Sequence, residues 1–167
     1  MNTDMVSVLD ITLQELKKCP LKESYSDEQH DLQYYLCEVI KTALQAHSLN
    51  RYHVIPSIGE SSPKPSIKAL GTSFWPDLAI HKGNSCIIAI EVKYIREDQS
   101  ASKALAETIG QSIIYTLRYE HVIAFVLHRG KRGRSLEEYT ESLRNVLVRN
   151  RVELVLRRPQ GSSRTCR

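Results

Sequence analysis

The sequence predicts an α/β domain in which helices cover both faces of a mixed sheet. Apolar runs short enough for strands alternate with stretches of helical periodicity, the pattern that gives a sheet between helix layers. Two of those runs are joined by the turn Lys82-Gly83-Asn84 and read as an antiparallel hairpin. The order read along the chain is α, α, β, β, β, α, β, α, β, with no internal repeat.

A short helix is expected over residues 7–18, stopping before Pro20. A longer one starts at Ser26, which can cap it, and runs to residue 46 or 48. Leu32, Tyr35, Leu36, Val39, Ile40 and Ala43 recur there at three and four residues, so one face is buried. Residues 51–60 read as a strand interrupted or bent at Pro56. Residues 61–73, rich in Ser, Pro and Lys, read as an exposed loop able to act as a flap. The hairpin follows, then a helix over residues 102–118, a buried strand over 121–128, a helix capped by Ser135 and reaching about 148, and a last strand over 152–156.

A chain of 167 residues with 41% hydrophobic and 25% charged content can bury a core without disulfide or metal staples. Residues 1–25 are read as a helical extension, 26–158 as the main domain and 159–167 as a basic flexible tail. The net charge of +4 is compatible with an anionic partner, and its excess lies late, in residues 128–134, 148–151 and 157–167. Cys19, Cys37, Cys86 and Cys166 form no Cys-x-x-Cys pair, and the six histidines show no ligand spacing, which argues against zinc and iron–sulfur sites. His30 and His81 flank the acids discussed below. No Walker loop, dinucleotide fingerprint or Gly-x-Ser-x-Gly elbow occurs. No apolar run is long enough to cross a bilayer and the N-terminus lacks a signal pattern, so the expected location is the cytoplasm or nucleoid.

The chemistry concentrates in FWPDLAIHKGNSCIIAIEVKYI, residues 74–95. Glu91 and Lys93 lie in an apolar strand, roughly 7 Å apart on one face. Ile88, Ile90, Val92 and Tyr94 share the other face and would pack on helices, leaving the charged face open to a cleft. Buried charges without partners are costly, so mutual pairing or a metal is the economical account. Asp77, on the adjacent strand, can reach the same place. Two carboxylates converging with an ammonium suit a divalent metal with oxygen ligands.

Pro76-Asp77, thirteen residues, then Glu91-Val92-Lys93, set on paired strands followed by a helix and a buried strand, resembles the PD-(D/E)XK nuclease superfamily. That superfamily includes restriction enzymes, Holliday-junction resolvases and RecB-like exonucleases. The resemblance covers residues 26–156. It implies a restriction-endonuclease-like core and a Mg²⁺-dependent deoxyribonuclease, with Mn²⁺ able to substitute. Asp77, Glu91 and Lys93, with Glu28 and Gln111, would be catalytic; Asp77, Glu91, the carbonyl of Val92 and an upstream acid would hold the metal. Glu28 is in phase with the apolar face of the long helix and Glu38 is not, so Glu28 is the expected upstream acid. Gln111 and Tyr115 match the Gln-x-x-x-Tyr accessory motif of RecB-like members, which sits beside the site and contacts substrate. The resemblance also implies DNA as partner and a homodimer, although monomeric exonucleases share the fold.

Charge placement adds Lys131, Arg132 and Arg134, past a strand end, and Lys64 and Lys68, on the flap, as phosphate contacts. The competing expectation is a catalytically inactive DNA-binding or assembly protein on the same fold, against which the intact Asp77, Glu91 and Lys93 count.

Overall fold

The computed structural model describes residues 3–22, 24–25, 31–57, 66–96, 100–129 and 136–160. Five strands, β1 (His53–Pro56), β4 (Leu78–Lys82), β5 (Ser85–Ile95), β6 (His121–His128) and β7 (Val152–Arg157), form one sheet in the order β1-β4-β5-β6-β7. The first two pairings are antiparallel and the last two parallel. Parallel neighbours need a crossover, and α3 (Ala101–Tyr115) and α4 (Leu136–Arg149) supply the two that are required. The mixed sheet flanked by helices is therefore as the sequence predicts.

On one face lie α1 (Thr3–Lys18) and α2 (Gln33–Ala46). Val8, Thr12 and Leu16 bury one side of α1, and Leu36, Ile40 and Leu44 one side of α2, each set at four-residue steps. They pack on Ile88, Ile90, Val92 and Tyr94, the β5 face assigned to helices from sequence. On the other face Ala89, Ile95, Ala124 and Val126 meet Leu105 and Ile109 of α3 and Leu147 of α4. Ser26 and Ser135, the expected caps, lie outside the described residues, as does residue 28.

α1 shares the core with the sheet and is tied to its far edge. The Arg157 guanidinium donates to the Leu16 carbonyl at 2.7 Å and to the Cys19 carbonyl at 3.0 Å. These carbonyls end a helix, where no intrahelical N–H reaches them and a cation is favoured. Replacing Arg157 with Met is expected to cost about 1–3 kcal/mol in urea unfolding; an unchanged midpoint would show that solvent serves these carbonyls equally well.

Two departures from the expected elements, and one alternative the sequence left open, bear on function. Part of the expected flap is a second, two-stranded sheet, β2 (Ile67–Ala69) and β3 (Thr72–Phe74), turning at Leu70 and Gly71 with φ of +51° and +77°. A leucine in the left-handed region is rare, which is why the run Ser66 to Phe74 did not read as a hairpin. At β1 the strand ends at Pro56, tolerated because β1 is an edge. Between β4 and β5 the pairs run Lys82↔Ser85 and His81↔Cys86, then shift to Ile80↔Ile88, so Ile87 is an extra residue in β5.

Candidate active site

The hairpin brings the acids together. Gly83, at φ +58°, makes the tight turn a two-residue connection needs. With an unbroken register Asp77 would stand opposite Ile90; the extra residue at Ile87 moves the pairing to Leu78↔Ile90, which sets Asp77 opposite Glu91. β4 begins at Leu78, and the Asp77 side chain takes over where its ladder ends: Oδ2 accepts from the Val92 N–H at 2.8 Å. A strand residue turns its N–H and C=O to the same side, so the Val92 carbonyl is directed toward Asp77 too.

Glu91 is 7% exposed. Its face does not open onto a cleft as the strand pattern suggests, because α3 lies over it and Tyr115, 1% exposed, reaches down from the last turn. The Tyr115 hydroxyl is 2.9 Å from Glu91 Oε2 and 2.9 Å from the Trp75 carbonyl. One phenolic proton cannot serve both acceptors at once. When Glu91 is ionised the phenol donates to it; when Glu91 is protonated the carboxyl donates to the phenol and the phenol to Trp75.

Burial, then the neighbouring Asp77 charge, push the Glu91 carboxyl up to about 8, against the smaller opposing effects of the Tyr115 hydrogen bond and Lys93. Burial and the Glu91 charge likewise raise the Tyr115 phenol, which keeps it a donor. Lys93, half-buried, is on the same face of β5 as Glu91. Ionised Glu91, in the interior with the Asp77 charge beside it, is thus disfavoured, a cost that a divalent cation with oxygen ligands would offset. Replacing Tyr115 with Phe leaves Glu91 and the Trp75 carbonyl without this donor, and is expected to cost about 1–3 kcal/mol in chemical denaturation. No loss would mean that the two contacts contribute nothing.

Of the other residues singled out in the sequence, Gln111 is exposed on α3, one turn before Tyr115, and Lys68 is exposed on β2. Glu28, Lys64, Lys131, Arg132 and Arg134 lie outside the described residues. Glu38 faces solvent and pairs with Lys41 at 3.1 Å, in keeping with its helical phase. His81 is buried against Tyr119, 3.3 Å from its hydroxyl, and not against the acids. Among the described residues no three His, Cys, Asp or Glu side chains are grouped for a metal ion; the expected third acid is not among those residues. Trp75 was missed from sequence, although its place directly before Pro76-Asp77 was a usable signal.

A separate cavity of about 560 Å³ lies toward the other end of β4, lined by residues that include Lys41, Tyr52, His53 and His81. Among the described residues no helix is long and apolar enough to cross a membrane. No protein-family model matches the chain, and no curated protein or solved structure matches it significantly.

Proposed function

We propose that the chain is a metal-dependent nuclease with a restriction-endonuclease-like core of the PD-(D/E)XK type, hydrolysing DNA phosphodiester bonds. The observation that carries this reading is the placement of Asp77 against the Glu91-Val92-Lys93 strand, with its carboxylate on the Val92 N–H and the Glu91 carboxyl buried beside it.

Asp77, Glu91 and the Val92 carbonyl, with Glu28 as the upstream acid, would hold one or two Mg²⁺ ions, for which Mn²⁺ can substitute. When bound, such an ion neutralises phosphate charge and lowers the pKa of water. Tyr115 fixes the rotamer of Glu91 through its hydroxyl. Lys93, on the same face, orients the attacking water and offsets charge that develops on the phosphate. Val92 keeps Asp77 in place through its N–H. Gln111 and Lys68, both exposed, are available to the substrate, and Lys64, Lys131, Arg132 and Arg134 add sequence-independent phosphate contacts. The reading places the protein with DNA, as a homodimer where both strands are cut.

The test is cleavage of labelled single-stranded, linear duplex, circular and four-way-junction DNA with Mg²⁺, Mn²⁺ or EDTA. Cutting that requires the metal supports the proposal, and the preferred substrate identifies its branch. DNA binding without cutting under either metal would sink it and leave the inactive DNA-binding reading.

A further inference from the structure

Trp75 is 51% exposed, and a single exposed aromatic residue needs no explanation by itself. Its surroundings do. It stands two residues before Asp77, and its backbone carbonyl accepts from the Tyr115 hydroxyl that also contacts Glu91. The main chain at Trp75 is therefore fixed to the acidic site while the indole is left to solvent.

The β2–β3 hairpin stands beside it. Its root is held by Ile67, buried against the α3 face of the sheet, and by Arg118, whose guanidinium donates to the Ser66 carbonyl at 2.7 Å. Its turn projects, with Leu70 93% exposed. Between the hairpin and the indole is a cleft of about 540 Å³ lined by Lys68, Gly71, Thr72, Ser73 and Trp75. Among the described residues the lining holds one cation, two hydroxyls, an aromatic plane and no carboxylate. An anion with a flat apolar face satisfies all of these, and a nucleotide is such a ligand.

We infer that Trp75 is a stacking platform for an unpaired base next to the scissile phosphate, with Lys68 beside it to meet the strand's phosphate. The inference rests on the nuclease reading and narrows it, from DNA in general to single-stranded, frayed or branched DNA. In a continuous duplex both faces of each base are already stacked, and nothing is offered to the indole. Stacking accepts any base, so this cleft selects for strand structure and not for sequence.

Trp75 is the single tryptophan of the chain, so its fluorescence reports on this cleft alone. In EDTA, the full-length protein is titrated with a fluorescently labelled single-stranded oligonucleotide and with a relaxed, covalently closed duplex minicircle that has neither ends nor unpaired bases, saturation being read from label anisotropy for the first and from competition against it for the second. Single-stranded DNA should quench the indole and the closed duplex should leave it unchanged. Trp75→Ala should weaken single-strand affinity on the order of tenfold, with Trp75→Phe recovering part of it and circular dichroism unchanged in both.

An indole unmoved at saturation, or quenched equally by the closed duplex, overturns the inference. A parallel wild-type cleavage assay with Mg²⁺ and Mn²⁺ separates the two readings. Quenching without cleavage under either metal removes the nuclease and keeps the platform. Metal-dependent cleavage without quenching removes the platform and keeps the nuclease, and the absence of both binding and cleavage removes both.

Discussion

Replacing Asp77 with Asn is expected to lower metal-dependent DNA cleavage by at least about a hundredfold while leaving the protein folded. The choice of Asn matters. Asp77→Ala would remove the carboxylate and also strip the Val92 N–H of its acceptor, mixing a folding cost of about 1–3 kcal/mol with the loss of chemistry. Asn retains an oxygen for that N–H while losing the charge and one of the two oxygens open to a metal. Lys93→Ala should lower cleavage similarly but through a different step, because it leaves both carboxylates in place. Metal affinity, read by calorimetry, should therefore fall for Asp77→Asn and survive in Lys93→Ala. Cleavage by Asp77→Asn at the wild-type rate would show that the activity belongs to another part of the surface.

In EDTA, the stability of the protein is expected to fall as pH rises from about 5 to 8. The Glu91 carboxyl is raised from 4.5 to about 8, so across that interval the folded protein holds a proton that the unfolded chain has released. Its contribution is full below the unfolded value and is lost as pH climbs through the folded one. The effect should be on the order of 3 kcal/mol, equivalent to roughly 5–10 °C in Tm for a chain of this size. Glu91→Gln, which cannot titrate, should flatten the slope. Mg²⁺ acts in the opposite sense: it favours the ionised carboxylates, so it should raise Tm at pH 8 far more than at pH 5, and not in Glu91→Gln. A wild-type Tm that is level across this range in EDTA would show that Glu91 is ionised throughout.

What could be read from the sequence follows the reach of the signals. The β4–β5 hairpin, α3, β6 and β7 are each announced by residues within the element, and each is found where periodicity and turn chemistry place it. Asp77 and Glu91 could be paired because a two-residue turn makes their proximity a local matter. Their environment could not. That Glu91 is covered depends on Tyr115, twenty-four residues later, crossing back over the sheet. The motif put Tyr115 beside the site, but its four-residue spacing from a polar Gln111 on the same helix face gave no sign that the phenol turns inward to the acid. The β2–β3 hairpin escaped notice because its turn places Leu70 where glycine or asparagine is usual. Trp75 escaped because attention to charge passes over an apolar neighbour.

The extra residue at Ile87 has a consequence for how this protein can change over generations. Substitutions at Ile87 that keep an apolar side chain leave the pairing of β4 with β5 intact, so drift there is harmless to the acids. Loss of Ile87 would only remove the bulge and leave Asp77 opposite Glu91, whereas gain of one residue between Ile87 and Ile90, with the bulge kept, would carry Asp77 opposite Ile90 and separate it from Glu91. An added residue, more than a change of composition, is what inheritance must avoid between Ile87 and Glu91. A length change at the projecting turn of β2 and β3 would leave that spacing intact, so the cleft beside Trp75 can be reshaped while the two acids stay opposed.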